Sequence, residues 1–394
     1  MPNARRWEIL WECRNCRAAL ESFLQNNVST CWRKVVSLHG RACAVVSANI
    51  FKCRGVLMTT ELPAPQERLF GLIMGFMTAQ IAHAFARMNL AEVIGEGASA
   101  EQVATQLKAA PDSARRFLRA CASLGLLSCD GKTYRVTEMG EYLSDKKPGS
   151  MKSFAAAVPA ESHWQPWGRL RDAVATGRSP TEQCFGGDIW AYFNGHREEL
   201  EMFAGAMGNL SQLAADQAAD AYDVQAYKTI ADIGGSHGVL LSQLLKRAPQ
   251  ARGVLFDLPK VIEGAGATLK GAGVEERVQT VAGDFFEKIP VMADLYIMKH
   301  IIHDWDDERS VKILRNIAAA APGHAKLALF EIVMPGEVVN DPVPYLMDLN
   351  MLVMVNGRER TEAEYRELLK AGGWTLQRVV PTQGMFCIIE STRA

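Results

Sequence analysis

Apolar segments of strand length alternate with helical segments from Thr229 onward, and no other feature constrains the fold as strongly. This alternation predicts an open, mainly parallel α/β sheet, because each parallel connection needs a crossover helix. The predicted strands cover residues 229–233, 253–256, 278–281, 295–301, 326–333, 376–380 and 386–390. Ligands bind such sheets at the carboxyl ends of the strands, so candidate site residues are sought there.

The region before the sheet predicts helices and one hairpin. Apolar residues recur at helical spacing after Gln66, and further helices are predicted to begin at Ser99 and Pro111. The dipeptide Asp130-Gly131 between two strand-like segments predicts a β-hairpin. Three helices and a hairpin form the outline of a winged helix. The predicted domains are a winged-helix domain (58–150), a helical linker that contributes to a ligand pocket (151–228) and the sheet domain (229–394).

The first 57 residues differ from the rest in composition. They contain five of the nine cysteines, and nine Lys or Arg residues against three Glu and no Asp. Three interpretations are open: a non-native leader ahead of a start at Met58, an organelle targeting segment, or a zinc site on Cys13 and Cys16. The first is preferred, because the residues from Met58 onward read like an ordinary protein start. We therefore expect a basic, Cys-rich leader that is non-native or disordered.

Charge and apolar patterning disfavour several classes of partner. The net charge of −1 gives no reason to expect nucleic acid or an acidic membrane surface, and no uninterrupted apolar run of about 18 residues suggests a membrane span. Arg115, Arg116 and Arg119 lie on the candidate recognition helix, which leaves a DNA-binding regulator as an alternative. A broad basic face is missing, so that alternative is disfavoured. The four cysteines after the leader are interpreted as buried free thiols, which favours a cytoplasmic location.

A glycine-rich turn, D-I-G-G-S-H-G at residues 232–238, follows the first strand of the sheet. Gly234 and Gly235 allow close backbone approach, and Gly238 permits tight packing of the next helix. The spacing does not match the dinucleotide fingerprint and no P-loop lysine follows, so phosphate binding is disfavoured. A turn of this kind between a strand and a helix can still hold a nucleotide-like ligand.

Acidic residues end the next two strands. Asp257 stands where a carboxylate can bind ribose hydroxyls, although a cap on the following turn explains it equally well. Asp284 and Phe285 end the third strand, where they could contact and cover an adenine or simply cap the strand.

The segment K-H-I-I-H-D-W at residues 299–305 follows a later strand. A histidine just beyond a parallel strand can take a proton from a bound molecule, because the pKa of imidazole is about 6.5. A carboxylate on the other ring nitrogen would fix the tautomer and stabilise the imidazolium. Taken alone, a histidine at a strand end is more often structural.

These segments together resemble the small-molecule O-methyltransferases that use S-adenosylmethionine, of the plant phenolic and bacterial polyketide type. The resemblance extends from about residue 66 to residue 392. The motifs that carry it, in matching order and spacing, are D-I-G-G-S-H-G (232–238), F-D-L-P (256–259), G-D-F-F (283–286), K-H-I-I-H-D-W (299–305) and G-R-E-R-T (357–361). The resemblance implies a Rossmann-like class I methyltransferase sheet and an N-terminal winged-helix domain that serves homodimerisation.

The resemblance also implies roles for individual residues. His303 would be the general base in methyl transfer to a hydroxyl of an aromatic or polyketide-like small molecule, and Glu331 and Glu359 would orient its imidazole. The positions implied to contact S-adenosylmethionine are Gly234, Gly235, Gly238, Asp257, Asp284, Phe285 and Lys299. No metal is implied. Ser236 is a departure, because many members of the family have glycine there.

The sequence gives weaker evidence for the residues that contact the substrate. Methionine side chains adapt to flat apolar ligands, and an asparagine can bond a substrate oxygen. The candidate residues are Met202, Phe203, Met207, Met347, Asn350 and Met351. A Met-rich core helix is the alternative. For the whole protein, the alternatives are a relative with other chemistry (hydroxylation, decarboxylation or C-methylation), a winged-helix regulator and a dinucleotide oxidoreductase.

Overall fold

The computed structural model describes residues 64–336 and 341–394, so the predicted leader lies outside the described residues. The amino-terminal elements are α1 (Pro65–Arg87), α2 (Leu90–Ile94), β1 (Ala98–Ser99), α3 (Ala100–Leu107), α4 (Pro111–Ser123), β2 (Leu127–Cys129), β3 (Thr133–Val136) and α5 (Glu138–Glu141). The strands pair in the order β1–β3–β2. The Ser99 hydroxyl accepts the Gln102 N–H at the start of α3, as its capping position predicts. These elements follow the predicted order of helices and a hairpin, with α2 as an addition.

Helices alone connect this part to the sheet. They are α6 (Lys152–Ala157), α7 (Glu161–Trp167), α8 (Leu170–Thr176), α9 (Thr181–Phe185), α10 (Ile189–Gly195) and α11 (Arg197–Ala221). Aromatic side chains pack here, and Phe193 stacks on Phe203 with ring centroids 4.9 Å apart. The long helix α11 packs against α6 and against the first helix of the sheet domain.

The sheet has seven strands, and the predicted α/β class is confirmed. Its elements are β4 (Thr229–Ile233), α12 (Val239–Arg247), β5 (Arg252–Asp257), α13 (Pro259–Ile262), α14 (Ala265–Gly271), β6 (Val278–Ala282), β7 (Leu295–Lys299), α15 (Asp307–Ala320), β8 (Lys326–Glu331), α16 (Val343–Val355), α17 (Glu362–Ala371), β11 (Trp374–Pro381) and β12 (Cys387–Arg393), with the short strands β9 (Val333–Met334) and β10 (Arg360–Thr361) outside it. The order is β11–β12–β8–β7–β4–β5–β6, and only the pairings of β12 are antiparallel. The carboxyl ends of β4 to β8 therefore meet at one edge.

Two predicted strands are shorter than expected. β7 ends at Lys299 because His300 has a φ of 53°, a left-handed conformation that a strand cannot contain. β8 ends at Glu331, and β9 pairs separately and in parallel with β10. This short pairing places residue 359, just before β10, close to the end of β8.

Helix α1 has an exposed apolar face. Leu69, Leu72, Ile73 and Phe76 recur at helical spacing, and the side chain of Leu72 is 80% exposed. By length and composition alone, α1 could cross a membrane, although polar residues interrupt its apolar run. A contiguous exposed apolar face of this kind marks an interaction surface.

The cysteines after the leader are free, as predicted. The expectation that all four are buried was wrong. Cys121 is buried, but Cys129 is exposed, because it lies on the edge strand β2 of a small sheet.

Candidate active site

Three side chains that are far apart in the sequence meet beyond the ends of β7 and β8. His303 lies in a single 3₁₀ turn, Ile302–Asp304. Its Nδ1 lies 2.8 Å from Glu359 Oε1 and 3.7 Å from Glu331 Oε2. These are the residues that the resemblance implies as a base and its two orienting carboxylates.

Both glutamates are buried, and each is held by hydrogen bonds between a backbone N–H and a carboxylate. Glu331 Oε1 accepts the N–H groups of Ile301 (3.1 Å) and Ile302 (2.9 Å), which lie just before His303. The Glu359 N–H donates to Asp348 Oδ1 at 2.9 Å. Asp348, on α16, was not predicted as a site residue, because nothing in a helical sequence shows that its carboxylate reaches a neighbouring loop.

The electrostatics of the cluster favour a proton on the imidazole. Burial by itself lowers the pKa of His303, but the carboxylates of Glu331, Asp304 and Glu359 outweigh it and raise the pKa to about 10. Burial raises the pKa of Glu331 to about 7, although the nearby imidazolium and two backbone N–H donors oppose the increase.

The same three side chains each offer a ligand atom within 4.8 Å of the others, a spacing that a divalent cation could bridge. Without a cation, His303 and Glu359 are joined directly by a hydrogen bond. An ionised carboxylate only accepts, so Nδ1 must carry the proton of the 2.8 Å contact. The arrangement therefore has the chemistry of a carboxylate–histidine pair, in which Nε2 is the nitrogen left for an incoming proton and lies 3.5 Å from Asp304 Oδ1.

The glycine turn lies beside this cluster, at the end of β4. Gly234 and Gly238 have φ angles of 72° and 79°, which favour glycine. A Cβ added to Gly234 would lie 2.8 Å from Ile301 Cδ1, and one added to Gly235 would lie 2.5 Å from Asp232 Cγ. The turn therefore has no room for side chains.

Carboxylates line the same edge. Asp257 Oδ2 accepts the Ser236 N–H at 2.7 Å, which ties the end of β5 to the glycine turn. Burial raises the pKa of Asp257, and it raises the pKa of Asp232 to about 7. Asp232 Oδ2 is buried and has no hydrogen-bond partner among the described residues. Ser236 adopts a φ of 53°, so the family's glycine would suit its conformation better.

The remaining predicted cofactor residues lie nearby. Asp284 Oδ1 accepts the Phe286 N–H at 2.8 Å, and the Phe285 ring lies close to Gly234, 3.5 Å from where a Cβ would be. Lys299 Nζ donates to Ser211 Oγ at 2.9 Å and lies 3.3 Å from His300 Nδ1. Burial lowers the pKa of Lys299 despite nearby carboxylates.

These residues fit a cationic, ribose-containing group. Asp257 retains lone pairs for hydroxyl donors, and Asp232 Oδ2 is a buried acceptor that has no hydrogen-bond partner among the described residues.

The substitution Gly235→Ala is expected to lower the affinity for S-adenosylmethionine by about tenfold or more. The new methyl group would overlap Asp232 and Leu255, each 2.5 Å from the built Cβ, and relief of such overpacking costs about 1–3 kcal/mol by moving the turn. Isothermal titration calorimetry measures the change. Gly195→Ala, at the end of α10 with open space and no left-handed conformation, is the control. Unchanged affinity in Gly235→Ala would mean that the turn does not contact the cofactor.

The predicted substrate residues make several different contacts. Asn350 Oδ1 accepts the Trp167 indole N–H at 2.9 Å, which leaves its amide NH₂ as the group for a substrate oxygen. Met202 contacts Arg87 of α1, and Phe203 belongs to the aromatic cluster around Phe193. The other candidates, Met207, Met347 and Met351, are partly buried.

Comparisons with known proteins match most of the described chain. A family model described as an O-methyltransferase domain matches residues 167–375, and an O-methyltransferase dimerisation domain matches residues 70–146. A phenazine O-methyltransferase from Lysobacter antibioticus is 35% identical over 329 residues, which cover 82% of this chain and 95% of the relative. An O-demethylpuromycin-O-methyltransferase from Streptomyces alboniger is 36% identical over 334 residues, which cover 83% of this chain and 89% of the relative.

A solved structure supports the cofactor assignment. Human N-acetylserotonin methyltransferase in complex with S-adenosylmethionine superposes with a TM-score of 0.77 at 26% identity, covering 86% of this chain and all of that one (100%).

Proposed function

The chain belongs to the O-methyltransferase family and uses S-adenosylmethionine, and its dimerisation domain supports a homodimer. From this premise we propose that His303 is its general base. The acceptor is a hydroxyl of an aromatic or polyketide-like small molecule. Glu359 and Glu331 orient the imidazole.

The contact that carries the proposal is the 2.8 Å hydrogen bond from His303 Nδ1 to Glu359. It fixes the tautomer whose Nε2 lone pair can accept a proton. Glu331 supports the same geometry from the backbone, because it holds the N–H groups of Ile301 and Ile302. The complete set of three residues argues against a relative that has turned to other chemistry.

S-adenosylmethionine, when bound, supplies a methyl group on a positively charged sulfur. Gly234, Gly235 and Gly238 would lie along its methionine part, and Asp257 would accept from its ribose hydroxyls. Asp284, Phe285 and Lys299 would contact the remainder. The protein then has two tasks, to orient the acceptor and to remove its proton.

The acceptor and the proposed base have similar pKa values. A phenol has a pKa of about 10 and is a poor nucleophile until it is deprotonated. The carboxylates around His303 raise its pKa to about 10, so the imidazole holds a proton about as strongly as a phenolate does. The base is the neutral ring, whose share of the enzyme increases with pH.

The proposed acceptor class rests on the relatives and on α16. The names of the relatives specify phenazine and O-demethylpuromycin as their substrates. In this chain Met347 and Met351 give α16 adaptable apolar side chains, and Asn350 retains an amide donor between them. A flat aromatic ring with one polar substituent suits that combination.

A label-transfer screen tests the function. The purified protein is incubated with methyl-labelled S-adenosylmethionine and a panel of phenols, flavonoids, phenazines and anthracyclines, and products are identified by mass. We expect label on an oxygen of at least one aromatic acceptor. Label on carbon, or cofactor binding with no transfer to any acceptor in the panel, would contradict the proposal.

The substitution Glu331→Gln is expected to move the rising limb of the kcat/KM profile to lower pH. Glu331 makes the largest contribution that raises the pKa of His303, so loss of its negative charge lowers that pKa and the neutral ring is present at lower pH. The glutamine oxygen can still accept from Ile301 and Ile302. The ionisation of the acceptor itself is the same with both enzymes, so a shift of the rising limb reports an ionisation of the protein. An unchanged or upward-shifted limb would contradict the role of Glu331.

A further inference from the structure

Arg360 is a charged side chain buried inside the protein, with only 1% of it exposed. Its guanidinium donates to the backbone carbonyls of Ile302 (3.1 Å) and Trp305 (2.8 Å) and to Asp307 Oδ1 (2.7 Å). All three acceptors belong to the segment that surrounds His303. Burial of a charge is costly unless each donor is satisfied, and here each nitrogen has an acceptor.

The turn that carries His303 is held from two sides. Glu331 accepts the Ile302 N–H at 2.9 Å, and Arg360 donates to the carbonyl of the same residue at 3.1 Å. The carbonyl of His303 itself accepts the Arg358 N–H at 2.9 Å. The backbone of the proposed base is therefore fixed by hydrogen bonds from β8 and from the segment that enters β10.

Arg360 follows Glu359 directly, and neighbouring residues of an extended segment point to opposite sides. The Glu359 carboxylate accordingly meets the His303 ring, while the Arg360 guanidinium meets the backbone of the turn. The pairing of β10 with β9 fixes both, because Arg360 lies opposite Val333 in a parallel bridge.

We propose that Arg360 is a positioning residue for the methyl-transfer reaction, which holds the 302–307 segment in the register that keeps the His303 ring on Glu359. The inference rests on the proposed role of His303. Only a planar group with several donors can reach two carbonyls and a carboxylate together, so a lysine cannot replace it.

The test is a histidine titration that needs no acceptor. Protein with ¹³C-labelled histidine is titrated by NMR, and the His303 signal is the one missing in His303→Gln. In Arg360→Lys we expect the pKa of His303 to fall toward the ordinary value of about 6.5, because the ring moves away from Glu331 and Glu359. Arg366→Lys, at an exposed ion pair on α17, is the matched control and should titrate like wild type.

A second variant keeps the proposal testable if Arg360→Lys does not fold. Asp307→Asn removes the charge of one partner of the guanidinium, on a side chain that is 64% exposed, and should shift the His303 titration in the same direction by less. Folded Arg360→Lys protein with a wild-type His303 titration would overturn the proposal. If Arg360→Lys does not fold, an unshifted Asp307→Asn titration would overturn it.

Kinetics separate this inference from the proposed function. In Arg360→Lys kcat should fall by about 10²-fold, the loss expected when a reacting group is displaced by about 1 Å, while the Kd for S-adenosylmethionine stays the same. The double variant Arg360→Lys with His303→Gln should be no slower than His303→Gln alone.

Normal turnover of His303→Gln would refute the role of His303 as the base, whereas the NMR titration would still decide the role of Arg360. A parallel loss of cofactor affinity in Arg360→Lys would reduce Arg360 to a general structural residue.

Discussion

Replacement of His303 by glutamine is expected to reduce kcat by about 10²–10⁴-fold and to leave the Kd for S-adenosylmethionine unchanged. General-base catalysis contributes a factor of this size, and glutamine has no group that can take a proton at neutral pH. The side chain is confined by Glu359 at 2.8 Å and Glu331 at 3.7 Å, so a polar replacement of similar length disturbs the packing little. Turnover with an acceptor from the screen and calorimetry with the cofactor give the two quantities.

The matched control is His324→Gln, which removes an exposed histidine that contacts Asp294 at 3.0 Å. Its kcat should equal that of wild type. If His303→Gln turns over nearly as fast as wild type, orientation of the acceptor accounts for catalysis and no base is needed.

The double substitution Leu72→Glu with Ile73→Glu is expected to convert the homodimer to monomer. Both side chains lie on the exposed face of α1, close to the start of the dimerisation domain at residue 70. In a twofold interface each change occurs twice, so four apolar contacts of about 1.5 kcal/mol are lost. About 6 kcal/mol corresponds to more than 10⁴-fold in Kd. Light scattering after size-exclusion chromatography measures the mass.

The control for this experiment is Val174→Glu with Met292→Glu. These side chains are 64% and 74% exposed and lie on other parts of the molecule. The control should remain dimeric at the same concentration. A dimer that survives the α1 double substitution would place the interface elsewhere. Loss of binding to lipid vesicles without loss of the dimer would assign the face to a membrane surface.

Several features of the site could be predicted because they are local. The order of strands and helices follows from periodicity, and the hairpin at Asp130-Gly131 follows from turn chemistry. In the glycine turn, Gly234 and Gly238 do adopt left-handed conformations. Asp257 lies at the end of its strand, as predicted, because its position depends only on the strand that precedes it.

Other features depend on contacts between distant segments. One example is the bond that the Asn350 amide oxygen accepts from the indole of Trp167, 183 residues earlier in the chain. The sequence shows Arg360 only as one residue of the motif G-R-E-R-T. Its burial depends on the contact between the turn at residues 302–307 and β10. A pattern of residue types contains no information on which acceptor a guanidinium will meet.

The sequence by itself determined the fold class and the place of the glycine turn, because periodicity and turn chemistry are properties of neighbouring residues. His303, Glu331 and Glu359 could be singled out only through the resemblance of whole motifs to a known family. Tertiary structure alone decided the distances between them and the protonation of the cluster. The β9–β10 pairing brings Glu359 to the ring, and the negative charges of three carboxylates around one imidazole raise its pKa to about 10. Desolvation and charge proximity arise only when the chain is packed, and so no reading of the sequence could supply them.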